Sequence, residues 1–345
     1  MITKQQAQKL SRTLHEDEEQ EQERLDALGL MAQSALPQLK EGLSLQLDER
    51  LLPTHLVNNR FDKTTTHLIN GEEEEELIVK PFSQANAYEK ELIKQFRYGL
   101  LDPTKDKLML LHQAATSEGL LIVIPPHTNI KRPINLTTTY EKNGFSHILI
   151  IARTGSEATI NRTINERQNG EGKGLVCEAT EAYIDEHAKI TLNEHQDILQ
   201  DTCYYAQKKA RVRPKGTMEW YNHNTGASLN KQEVVTNLEG HDASSTNLLT
   251  MHMKGEQQAD INATINHKAA KTTSGMYAKG VIEGKAKLLH RGLINIGDEA
   301  KDAEGYQQED ILLMGEAQAD ALPKLEINNH EVQCSHGATI GSIDE

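Results

Sequence analysis

Apolar and polar positions divide the chain into two textures. In the first part the apolar residues are spaced for helices. His15 to Leu30 reads as a polar helix, and Ala85 to Phe96 places Tyr88, Leu92 and Phe96 four apart, the step of an amphipathic helix. A second short helix is predicted from Asp106 to Ala115. From Gly119 onward the texture changes to short apolar runs bounded by polar turns. Leu121 to Ile124, Ile134 to Thr137, Ile148 to Ile151 and Gly174 to Cys177 read as strands. These textures predict an N-terminal helical or irregular segment over 1–117 and a β core over 118–345.

A corner recurs through that core: a small or polar pair, Ala, one residue, then an aliphatic. It stands at Ala158, Ala188, Ala210, Ala227, Ala259 and Ala286, with a variant lacking the aliphatic at Ala243. From Ala188 to Ala259 the steps are 22, 17, 16 and 16 residues. That step is too short for a propeller blade and suits the coil of a parallel β-solenoid. Small residues fit tight corners, and inward Ile, Leu and Val stack into a narrow core. Some ten coils at about 4.8 Å each predict a rod of roughly 45–50 Å. An antiparallel β-sandwich also uses short alternating strands, but the regular spacing favours the solenoid. A solenoid cannot bury its own ends, so the helical segment is a natural cap or partner surface.

Composition agrees with a narrow core. The 345 residues hold four Phe, nine Tyr and one Trp, too few for a large layered enzyme core. The net charge of -14 argues against nucleic-acid or anionic-membrane binding, both of which need basic surface. Residues 1–80 hold 16 Asp/Glu against 9 Lys/Arg, half of that deficit. Within them the run Glu72 to Glu76 reads as a solvated acidic loop or edge. The polar start, Met1 to Leu14, has no signal-peptide core, and no apolar stretch approaches the length of a membrane span. A soluble cytoplasmic protein is expected.

Three cysteines, Cys177, Cys203 and Cys334, form no C-x-x-C pair. They exclude a disulfide framework and a four-cysteine iron–sulfur or zinc site within one chain. Cys177 and Cys203 read as core residues. No phosphate loop is present. Gly170 to Gly174 has the wrong spacing and reads as a turn. No H-E-x-x-H, G-x-S-x-G or strand-to-helix G-x-G-x-x-G appears either, so no enzyme chemistry and no ATP or NAD binding is expected of this chain alone. Met251-His252-Met253 suggests a copper site, but on an alternating strand the two Met share the core face and His252 takes the other.

The most informative stretch is the last hundred residues. Lys279-Gly280-Val281-Ile282 is followed by Gly284-Lys285-Ala286 and Arg291-Gly292-Leu293-Ile294. Gly305-Tyr306-Gln307-Gln308 leads into Ile311-Leu312-Leu313-Met314, then Pro323-Lys324-Leu325-Glu326-Ile327 and Cys334-Ser335-His336-Gly337-Ala338-Thr339-Ile340-Gly341. This order closely resembles the SufB/SufD family of iron–sulfur cluster assembly proteins. The likeness is strong over 250–345, looser over 119–250 and faint before 85.

The resemblance implies a right-handed parallel β-helix that pairs through its C-terminal part with a SufB-like or identical subunit. It implies work with a SufC-type ABC ATPase and with sulfur donor proteins. It also implies a transient iron–sulfur cluster near the pair's interface, with no tightly bound cofactor. Cys334 and His336 match the Cys and His of the family's terminal motif. They stand two apart, so on a strand both face one way, and thiolate and imidazole are acceptable iron ligands. His330 would share that face if the strand continued back to it. On the residues alone, Cys334 packing at a corner and His336 capping a turn is the favoured reading, and the resemblance shifts it toward an interface role for His336. The SufB branch has a Cys where Glu309 stands in this sequence, which makes the chain look SufD-like, with Glu309 as a candidate oxygen ligand. Gln257 to Asp260 and Trp220 resemble the SufB branch instead. Met218 replaces that branch's Gln, which argues against sulfur transfer along the β-helix.

Family members continue past the position of Glu345 into a helix and a Leu-Phe-Tyr-x-x-x-Arg-Gly segment. This sequence stops before them, so the ATPase-docking segment is expected to lie outside it or to be replaced by another surface. Two other function classes stay open: a β-helix enzyme acting on polysaccharide, which needs clustered carboxylates on one face, and a purely structural SufD-like subunit that binds no iron.

Overall fold

The computed structural model describes residues 2–37, the backbone of 65–69, and residues 76–167 and 173–343. The acidic run lies outside them except for Glu76, and so does the predicted Gly170 to Gly174 turn up to Gly172. The described helices are α1 (Lys4–Thr13), α2 (Glu18–Met31), α3 (Ala87–Phe96) and α4 (Lys107–Ala115). Two early strands follow α2, β1 (Thr65–Ile69) and β2 (Ile78–Pro81). Sixteen more complete the chain: β3 (Glu118–Ile124), β4 (Asn129–Tyr140), β5 (Asn143–Ala152), β6 (Glu157–Glu166), β7 (Gly174–Ile184), β8 (Lys189–Asp197), β9 (Thr202–Val212), β10 (Thr217–Asn224), β11 (Leu229–Leu238), β12 (Ser244–Met253), β13 (Gln258–His267), β14 (Thr273–Gly284), β15 (Lys287–Ile296), β16 (Ala303–Gly315), β17 (Gln318–Ile327) and β18 (Val332–Ile343).

From β3 on, successive strands alternate between two sheets, and each pairs in parallel with the strand two places away. Lys189 pairs with Thr217, Thr217 with Ser244, Ser244 with Thr273 and Thr273 with Glu304, steps of 28, 27, 29 and 31 residues. One turn of this parallel β-solenoid is therefore about 30 residues and two strands. The sixteen strands make about eight turns, with a rise of roughly 35–40 Å. This corrects the expectation of some ten coils. Ala227 precedes β11, Ala243 precedes β12 and Ala259 opens β13, so the 16-residue step spans half a turn. Similar small residues serve both corners, and the pattern doubles.

One corner is unusually regular. His127, Gly155, His187, Lys215, Asp242, Lys271 and Asp302 all have left-handed φ between 56° and 65°. Each donates its N–H to a carbonyl of the following turn, at 2.7–3.2 Å. The next residue is small and buried at Ser156, Ala188, Ala243, Thr272 and Ala303. A larger side chain there would collide with the turn stacked above. At the opposite corner the backbones of Gly255 and Gly284 nearly touch: a Cβ at Gly284, where φ is +72°, would stand 3.2 Å from the Gly255 nitrogen.

The N-terminal end is closed. β1 and β2 pair antiparallel with β4 and β3, and the helices pack on the outer face of the odd-strand sheet. α4 begins where the Asp106 carboxylate accepts from the Leu108 and Met109 N–H groups and from the Tyr205 hydroxyl at 2.8 Å. On α3 the buried residues are Glu89, Leu92 and Ile93, while Tyr88 is 61% exposed. A four-residue step drifts about 40° around a helix, which carries Tyr88 off the face predicted for it. α1 goes beyond the helices the sequence pattern predicts, although Thr3 and Gln6 form its capping box. Predicted to start at His15, α2 starts at Glu18, because Asp17 caps it and His15 turns with φ 54°. Cys177 and Cys203 are buried, as are Met251 and Met253 with His252 facing out.

Inside the solenoid, turns β4 to β10 carry a buried ionic network. Arg162 binds Glu178 and Glu194, Glu194 binds Lys208, and Glu178 accepts from the Tyr140 and Tyr204 hydroxyls. Arg162 holds the Glu178 carboxyl down, to about 2, against the opposing effect of burial, which is the largest single influence. Arg162→Met leaves the buried Glu178 carboxylate without a cation and Glu194 with Lys208 alone, so we expect a loss of about 3–5 kcal/mol in unfolding free energy. A urea titration showing less than about 1 kcal/mol would contradict this.

Acid sensitivity has a separate source. His112 donates Nε2–H to the Ser146 carbonyl at 2.8 Å and accepts the Tyr98 hydroxyl at Nδ1, a fully used neutral imidazole. Burial pushes its pKa down to about 3, and that of His267 to about 4. Both titrate near 6.5 when unfolded. Their stabilisation is therefore complete above pH 6.5 and lost as the pH falls from there toward 3–4. His112→Gln is expected to flatten the stability–pH curve over that window, and an unchanged slope in unfolding measurements would refute the assignment.

Candidate functional site

The C-terminal end gathers the chemistry. Along β16 the inward positions are Ala303, Gly305, Gln307, Glu309 and Ile311, and its register against β18 sets them beside Val332, Cys334, His336, Ala338 and Ile340. Paired residues of parallel strands face the same way. Cys334 and His336 therefore share the inner face of the last strand, as their spacing predicts. Glu309 lies on the same face one turn earlier. His330 sits in the corner before β18, outside the strand, so the structure does not extend that face to it.

Their surroundings differ sharply. Cys334 is half-buried, and Gly305 makes room for it: a Cβ there would lie 3.2 Å from the Cys334 sulfur. Burial pushes the Cys334 thiol pKa up, partly opposed by a hydrogen bond from the Gly305 backbone. The sulfur also borders a groove on the outer edge of the sheet with Ser274, Tyr277, Tyr306 and Ser335. His336 is exposed. Glu309 is 1% exposed. It accepts from Gln307 Nε2 at 2.8 Å and lies 3.0 Å from His290 Nδ1 on β15, across the solenoid interior. Among the described residues, no group of three or more His, Cys, Asp or Glu side chains stands close enough to hold a metal ion. The structure thus brings Cys334 and His336 together at the open end and places Glu309 beneath them in a separate buried cluster.

His290 and Gln307 escape the sequence reading. The available signal is alternation: in Leu288-x-His290-x-Gly292-x-Ile294 the His occupies an inward position between core residues. Trp220 and Met218 are both core residues, with the Trp220 indole donating to Thr236 at 3.0 Å. Gln257 and Asp260 hold the coils together: Gln257 binds two corner carbonyls, and Asp260 pairs with Lys231 and Arg291.

Residues 135–345, well over half of the chain, match the family model described as SUF system FeS cluster assembly, SufBD core domain. The chain belongs to the SufBD family. Its relatives include proteins described as iron–sulfur cluster assembly SufBD family proteins from Staphylococcus haemolyticus, Staphylococcus epidermidis and Staphylococcus aureus. The first is 25% identical over 285 residues, and the other two are 24% identical over 277 and 285 residues. Each match covers 79% of this chain but only 59% of the relative, so the chain spans less than two thirds of their length. No helix among the described residues is long and apolar enough to cross a membrane.

The three thiols of this SufBD chain should separate cleanly by reactivity. Burial raises the Cys203 pKa to about 12 and also pushes that of Cys177 well above its ordinary value, and both side chains are buried. Native alkylation near pH 8 should label Cys334 alone, more slowly than free cysteine because its thiolate fraction is smaller. Unfolding should expose all three, as mass spectrometry of the labelled peptides can show. Native labelling of Cys177 would contradict the fold.

Proposed function

We propose that this chain is a non-catalytic scaffold subunit of SUF-type iron–sulfur cluster assembly. It pairs through its terminal turn with a SufB-like or identical chain and works with a SufC-type ABC ATPase and sulfur donors. Cys334, His336 and Glu309 are its contribution to a nascent cluster shared across that interface. One observation carries the reading. The last turn leaves the inner-face side chains Ile327 and Ile340 46% and 43% exposed, in the same layer as Cys334 and His336. An apolar surface of this kind, rimmed by soft and imidazole donors, suits a second chain. Glu309, where the SufB branch has a Cys, makes a SufD-like or homodimeric role the better fit.

A narrower reading keeps the pairing and drops the iron: a structural subunit that holds its mate in shape. The raised thiol pKa of Cys334 favours it. Anaerobic reconstitution with iron and sulfide separates the two, and affinity purification from the host tests both. The scaffold reading expects an ATPase or SufB-type chain to copurify and iron–sulfur absorbance to appear. Combined Cys334→Ala and His336→Ala should remove most of that absorbance. If it persists unchanged, the site assignment fails; if no partner copurifies, both readings fail.

A further inference from the structure

One turn below the open end, three buried side chains hold polar atoms with no hydrogen-bond partner: His290 Nδ1, Glu309 Oε2 and Gln307 Oε1. All three residues are at most 1% exposed. His290 Nδ1 stands 3.0 Å from Glu309 Oε1 without forming a hydrogen bond to it. Gln307 Nε2 already donates to that oxygen at 2.8 Å and fixes the carboxylate. Two donor atoms 3.0 Å apart that form no hydrogen bond to each other match neighbouring ligands of one divalent ion, since bonds of about 2.1 Å at right angles place them so.

The surroundings support an ion rather than a lone contact. The layer beneath is apolar: Ala278 and Leu249 stack below Glu309, and Ile261 below His290. That dry floor strengthens any charge interaction above it. The layer overhead is short: Ala338 stacks on Glu309 and Ala321 on His290. Two alanines are the only side chains stacked between the pair and the terminal turn's outer side, in the turn that carries Cys334 and His336. The donor set of one imidazole, one carboxylate and one amide oxygen suits an intermediate divalent metal such as ferrous iron. With only two of the usual ligand types it would hold the ion loosely, as befits cargo.

We propose that His290, Glu309 and Gln307 form a loading site for a ferrous ion within a single chain, one turn below Cys334 and His336. The choice of iron rests on the assembly reading; the divalent-cation site does not. Cobalt(II), added without sulfide to the purified chain, is the probe. The proposal expects one equivalent bound, read from its visible absorbance. His290→Gln and Glu309→Gln should each weaken binding by about tenfold or more. A surface control is needed, because His195 and His223 stack at 5.0 Å on the outside of the even-strand sheet. Replacing both by Ala should leave that one equivalent intact. In the wild-type chain, bound cobalt should broaden the His290 ring resonances in NMR spectra, a readout independent of any variant's folding. Absence of binding, loss of binding with the surface pair, or an unperturbed His290 ring would each overturn the proposal. Cobalt binding with failed cluster reconstitution would sink the assembly reading and spare the cation site; the reverse would do the opposite.

Discussion

A parallel β-solenoid satisfies each strand's backbone with the next turn, and among the described residues β17 and β18 are bonded on one side only. The geometry of the two ends follows from that constraint. At the N-terminal end the unmet bonds are satisfied within the chain: β1 and β2 run antiparallel onto the first turn and the helices cover the odd-strand sheet. At the other end β17 and β18 are the outermost strands of their sheets. Their outer edges present unpaired N–H and C=O groups, a template for another chain's strands. The same geometry leaves inward side chains such as Ile327 and Ile340 in solvent.

The interior is not uniformly apolar, and its layering is informative. Turns β4 to β10 hold the ionic network around Arg162 and Glu178. Polar groups continue as far as Asn247, and then Leu249, Ile261, Met276 and Ala278 close the section before Gln307, Glu309 and His290 reopen it. Buried ion pairs rarely add net stability over apolar packing. In a stack of near-identical turns they can still fix register, since a slip by one position would strand Arg162 among aliphatics. The second polar layer has no such balance. It leaves partner-less atoms on His290, Glu309 and Gln307, and burying such groups costs free energy that a purely structural layer would have no reason to keep.

Much of this is legible in the chain itself. Alternating short strands with small corner residues point to the solenoid. Of the alanines read as corners, Ala188, Ala227, Ala243 and Ala286 stand between strands as the pattern suggests, whereas Ala158, Ala210 and Ala259 lie within β6, β9 and β13. The period is misleading because both corners favour small residues, so half-turns and turns look alike. Parity alone puts Cys334 and His336 on one face. Glu309 is found through the family's motif, but its burial is not, because a carboxylate in a Gln-Gln-Glu-Asp run looks solvated until the register aligns it with Ala278 and Ala338. His290 is invisible for a related reason: its partner lies 19 residues away on the opposite sheet, and no local pattern couples them.

The carboxylate of Glu309 decides what its buried layer can hold. A thiolate at that position would favour sulfide-bridged iron and would be exposed to oxidation. A carboxylate held by Gln307 and facing an imidazole favours a lone divalent ion and is redox-inert. Cys334, with its thiol pKa raised by burial, stays largely protonated at neutral pH and is a weak ligand by itself. Different donors therefore stand at different depths of the same end: oxygen and nitrogen one turn down, sulfur and imidazole at the rim. Any cover over the rim would desolvate both layers together and strengthen every charge interaction between them. Within the chain the two layers lie one turn apart, the lower one buried and the upper one open to solvent.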